Sequence, residues 1–109
     1  MADYCERDLV KRRLEIAMSE TSYDSKIDAA IAEASSIVDN KLVRYGGVPQ
    51  PIPGIIEHAC ADLAAAIYKQ VLDPTAEQPL MQRGLERIAD YIAEQERSDL
   101  PFFVATAES

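Results

Sequence analysis

Asp24-SKIDAAIAEASSIVDNKLVRYG-Gly47 places Ile27, Ile31, Ala34, Val38, Leu42 and Tyr45 at successive spacings of 4, 3, 4, 4 and 3 residues. That recurrence lays them along one stripe of a 3.6-residue helix, not on the alternating face of a strand. Ser22 or Asp24 can cap its start. Gly46-Gly47 closes it, because glycine tolerates the left-handed backbone that follows a helix C-terminus.

Beyond the glycines lies Val48-Pro49-Gln50-Pro51-Ile52-Pro53. Prolines in alternate positions fix their own φ and bias the residues before them toward extended backbone, so a stiff loop is expected. Pro53 suits the first position of a third helix, where a missing N–H costs nothing. That helix is expected to run to Leu72, with Ile56, Cys60, Leu63, Ile67 and Val71 as its stripe. Alanines widen its apolar surface, so it should lie centrally, covered on several sides. Its polar residues, mainly Glu57, His58, Asp62, Lys69 and Gln70, read as a solvated strip. Asp73-Pro74 stops it.

Toward the N-terminus, Asp3 with Glu6 three residues on has the form of a capping box, and a first helix is expected to about Ile16. After a second Pro-bearing link, Thr75 to Pro79, a fourth helix is expected over about Leu80–Arg97 with Met81, Leu85, Ile88 and Ile92 in register. Gly84 inside it costs about 1 kcal/mol against Ala unless close packing requires it. Nothing in the chain alternates as a strand does or repeats. The fold class is therefore all-α: one four-helix domain over residues 1–109, core about 3–97, built on a long antiparallel hairpin with an extended tail over 98–109.

Composition agrees with that reading. Hydrophobic residues make up 48% of the 109, but only 6% are aromatic and alanine fills much of the apolar share, which suits close helix packing over strands. A net charge of −8 keeps such a chain from adhering to nucleic acid, since phosphate binding needs a basic face. No apolar run approaches the roughly 18 residues that cross a bilayer, and the charged opening Met1 to Arg13 is no signal peptide. Cys5 and Cys60 stand outside any C-x-x-C or Cys/His cluster and read as two reduced thiols of a cytosolic protein.

Few residues invite chemistry. His58 and Asp62 share a helical face at i, i+4, the spacing of two metal ligands, but no third ligand accompanies them. Cys60 belongs to the apolar stripe and lacks an orienting partner for nucleophilic work. Lys11-Arg12-Arg13 could meet phosphate or an acidic partner. With seven acids in the first 28 residues, a solvated helix end is the plainer reading. No catalytic, metal or cofactor-binding residue is therefore expected. Two features exceed what a plain bundle needs: the stiff Gly46–Pro53 loop and the apolar run Leu100-Pro101-Phe102-Phe103-Val104, which would make an interaction patch if exposed or would fold back on its own core.

Several residues fall in a familiar order. Asp8-Leu9 sits in the short first helix, followed by Ile27-x-x-Ala30-Ile31-x-x-Ala34-Ser35-x-x-Val38-Asp39. Leu42-Val43-Arg44-Tyr45, the proline loop, Ile52-Pro53-x-x-Ile56 and ACADLAAAIY over residues 59–68 come next. This resembles the head–tail connector, or adaptor, proteins of tailed bacteriophages, including the branch in Mu-like prophages. The resemblance covers about residues 4–68. The last third, with RGLERIADYI over residues 83–92 and Leu100-Pro101, is similar in layout.

The resemblance implies a non-enzymatic virion subunit without cofactors, assembled in the bacterial host cytoplasm and placed in the particle's neck. Copies of the chain would form a ring, dodecameric in the particle, beneath the portal protein. The ring would extend the channel through which genomic DNA passes without specific binding, and would carry a stopper or tail completion protein. It assigns Gly46, Gly47, Val48, Pro49, Pro51 and Pro53 to the next ring, and Leu100, Pro101, Phe102, Phe103 and Val104 to the portal. Two other classes stand beside it: a small cytosolic helical binding module or regulator, and an enzyme using His58, Asp62 and Cys60.

Overall fold

Helices account for most of the chain that the computed structural model describes, residues 4–17, 19–74 and 79–99. They are α1 (Arg7–Leu14), α2 (Asp24–Leu42), which tightens into a 3-10 turn over Val43–Tyr45, α3 (Gly54–Leu72) and α4 (Pro79–Asp99). No strand occurs among the described residues. The all-α architecture expected from the spacings is the one observed.

Helix α3 is the centre. Ala59 to Tyr68 are ten consecutive buried residues, which a helix achieves only when neighbours cover it all round. α2 runs antiparallel along one side, since Ser35 meets Cys60 while Ala30 and Tyr68 line a common groove. α4 runs antiparallel along another, with Arg83 and Arg87 at Asp62 and its distal Glu96 beside Tyr45. The segment before α1 and α1 itself cross the remaining face, from Cys5 at Cys60 to Arg13 at Asp62. Val10, Ile27, Val38, Leu42, Ile56, Leu63 and Ile88 fill the space between them.

At Gly84, α4 packs tightly against α3. A Cβ there would lie 2.8 Å from Leu63 Cγ and 3.0 Å from the carbonyl oxygen of Ala59, so the close packing that could justify this glycine is real. Gly46 and Gly47 adopt φ of +88° and +84° and cap the end of the 3-10 turn as expected.

The structure corrects several local expectations. Glu6, in extended backbone, precedes the first helical residue and makes no side-chain cap, so the capping box is not formed at that position; Asp3 lies outside the described residues. α1 stops at Leu14 because Glu15 turns left-handed, with Glu15 N–H bonded to Arg12 O and Ile16 N–H to Lys11 O, a Schellman closure without glycine. No side chain caps α2: Asp24 is its first residue and Ser22 N–H instead bonds Glu20 Oε1 at 2.8 Å. Tightening after Leu42 swings Tyr45 off the apolar stripe, leaving it 36% exposed. Val71, placed on the α3 stripe by spacing, is 71% exposed and lines an open groove beside the first turns of α2. Pro53 precedes α3 as its N-cap, accepting from the N–H groups of Ile56 and Glu57. In the loop the Gln50–Pro51 peptide is cis, and Val48 and Ile52 pack partly against the core.

Candidate functional site

Asp62 is the deepest charged group among the described residues. It stands in the alanine-rich run of α3 with no accessible surface, against the expectation of a solvated strip. A lone carboxylate there would cost far too much, and three guanidiniums offset the cost. Arg13 Nε from α1 lies 2.7 Å from Oδ1, while Arg83 Nε and Arg87 Nε from α4 lie 3.3 Å and 3.0 Å from Oδ2. Arg13 Nη2 also donates to His58 Nδ1 at 2.8 Å; arginine can only donate, so that ring nitrogen carries no proton. The cluster joins three helices through one residue.

Two of the three cations in the basic run of α1, Lys11 and Arg13, are likewise engaged, while Arg12 is exposed as expected of a solvated end. Lys11 is buried, with Nζ 2.6 Å from Glu20 O and 2.9 Å from Asp24 Oδ1. Arg7 bridges Asp24 and Asp28 at 3.0 Å and 2.6 Å, and its hydrogen bond holds the Asp28 carboxyl below its ordinary range.

A second buried polar chain fastens the N-terminal segment. Tyr4 N–H donates to Ser35 Oγ at 3.2 Å, and the Tyr4 hydroxyl donates to Asp39 Oδ1. The hydrogen bond to that carboxylate, with burial, pushes the phenol up to about 12. Cys5 Sγ lies 3.2 Å from Cys60 Sγ, which in turn meets Ser35 Oγ at 3.5 Å. The two cysteines form no disulfide, and both are buried.

These positions separate the residues of the enzymatic reading. His58 and Asp62 meet at Arg13, whereas Cys60 faces Cys5 and Ser35, fully enclosed. No group of three or more His, Cys, Asp or Glu suited to a metal ion occurs among the described residues, and no described helix is long and apolar enough to cross a membrane.

The large apolar side chains left open to solvent among the described residues lie at the two ends of the α2–α3 hairpin. At the proline-loop end Val43 is 69% exposed and Tyr45 reaches across to donate to Glu96. Of the loop itself Gly46, Pro49, Gln50 and Pro51 are exposed, while Gly47, Val48, Ile52 and Pro53 are half-buried. At the opposite end Val71 and Leu72 project beyond the bundle, and Tyr23 packs edge-on to Tyr68 with ring centroids 6.4 Å apart. A groove of about 290 Å³ runs there between the first turns of α2 and the last turns of α3, rimmed by Lys26 and Glu33. A second hollow, of about 350 Å³ and lined by Leu14, Ile16, Tyr23 and Lys69, shares Tyr68 and Leu72 with it. Leu100, Pro101, Phe102, Phe103 and Val104 lie outside the described residues. Sequence spacing missed the groove because it assigned Val71 to the core.

No family model, curated protein or solved structure matches this chain.

Proposed function

We propose that the chain is a structural subunit of a phage head–tail connector: an adaptor ring under the portal protein that extends the DNA channel and carries the stopper or tail completion protein. One observation supports this most. Asp62, Lys11, Arg13 and both thiols are spent on internal pairing, while large apolar side chains stand exposed at opposite ends of the hairpin. Such a molecule works by what it packs against, not by chemistry in a cleft. The net charge of −8 suits a channel wall past which DNA slides without being gripped. The neck of the virion is then its place, with assembly in the host cytoplasm.

Negative-stain microscopy of the chain mixed with its cognate portal tests this. Closed rings seated on the portal are the expected result. A chain that leaves the portal bare and stays monomeric or dimeric would instead be a small helical binding module.

A further inference from the structure

We propose that the groove between α2 and α3 receives the Leu100–Val104 segment of a second copy of this chain. The proposal rests on the assembly reading above and names the contact that would join neighbours.

The groove is built for apolar side chains. Ala29, Ala30, Ile67, Tyr68, Val71 and Leu72 line it, with charge only at its rim. At about 290 Å³ it falls just short of the usual size of small-molecule pockets, and it lacks the converging polar groups that orient such ligands. On the α2 side its apolar lining is only alanine, and on the α3 side it includes Tyr68 and Leu72. An inserted aromatic ring fits that chemistry.

The chain carries a matching knob. Residues 100–107, LPFFVATA, hold no charge and contain both of its phenylalanines. This segment begins directly after α4, which ends at Asp99. Pro101 limits the backbone on either side of it, so less freedom is lost on docking.

Reach decides which copy supplies it. Gly84 packs against Ala59 and Leu63, and α4 continues from there past the N-terminus of α3, bringing Glu96 to Tyr45. At 1.5 Å rise per residue, Asp99 and Leu72 are separated by about 35–40 Å along the bundle. Five extended residues span at most about 17 Å. The apolar segment therefore cannot enter the groove of its own chain. It can enter that of a neighbour placed end to side. The contact is heterologous, so repetition gives a closed ring when the rotation closes and a filament when it does not.

Two full-length variants provide the test. Phe102→Ser with Phe103→Ser removes the knob and leaves the groove; Val71→Asp with Leu72→Asp spoils the groove at two exposed positions and leaves the knob. Sedimentation of the wild type up to about 1 mM should show species larger than a dimer, since that range reaches weak contacts. Each variant alone should sediment as a monomer. Their equimolar mixture should give a dimer that does not grow, because only one knob and one groove remain.

A monomeric wild type throughout that range, or variants that keep associating alone, overturns the proposal. So does a mixture that stays monomeric, which would leave the groove to a different partner. The connector reading is scored separately on the portal. Rings that persist there with the phenylalanine variant refute the tail contact alone. Mixed dimers from a chain that ignores the portal refute the connector alone.

Discussion

Asp62 draws one arginine from α1 and two from α4 into a site with no accessible surface, and this concentration of charge makes it sensitive to change. Asp62→Ala strands three guanidiniums around an apolar hole. The expected loss is about 3 kcal/mol, the lower figure for breaking a buried pair because Arg83 and Arg87 keep contact with water. Urea unfolding reads it as a lower midpoint at unchanged slope. A loss within 0–1 kcal/mol, the worth of a surface pair, would show the cluster to be ornamental. Tyr4 carries a pH signature. Folding raises its phenol from 10.0 to about 12, so its contribution is complete below pH 10 and drains away as pH climbs toward 12. Tyr4→Phe should therefore flatten part of the alkaline stability loss, as followed by circular dichroism across that window. An unchanged alkaline limb would mean that Tyr4 ionises no differently in the folded and unfolded chain.

Elements were legible where spacing alone defines them. The Ile27–Leu42 stripe, the Gly46-Gly47 stop and the Pro53–Leu72 helix all follow from local pattern, and each is formed close to its expected bounds. Where partners decide, the pattern was mute. A lone acid within ten buried positions of α3 could be read as a solvated face until α1 and α4 bring arginines to it. The usable signal was Arg83 and Arg87 at i, i+4 beside so apolar a neighbour. Tyr45 and Val71 were misplaced because stripe logic assumes a regular helix covered along its whole length. Within α4, Gly84→Ala is expected to destabilise by about 1–3 kcal/mol despite alanine's better helix propensity, since the Ala59 carbonyl cannot retreat as a side chain would. Thermal melting should show a lower Tm, and a raised one would mean that the two helices separate at little cost. At the end of α1 the sign reverses. Glu15 holds φ at 59°, a conformation that costs a non-glycine residue about 1–2 kcal/mol. Glu15→Gly should raise stability by about 0.5–1 kcal/mol in the same melts.

For the molecule as a whole, charge opposes assembly while apolar ends favour it. In the proposed ring, copies at −8 each would repel one another, so association should strengthen as salt rises from 0.01 M, where the Debye length is about 30 Å, to 1 M, where it is about 3 Å. Sedimentation across that range checks it, and association that weakens with salt would point to ion pairs as the adhesive. The Asp62 cluster has a consequence of a different kind, in the order of synthesis. Arg13 is made 49 residues before Asp62, and Arg83 arrives 21 residues after it. Until α4 has been translated, the nascent chain holds a central helix whose acid is only partly neutralised and whose Leu63 face is bare. A ribosome stalled before Arg83 therefore holds Asp62 with one of its three guanidiniums, and the cluster is complete only once α4 has been made.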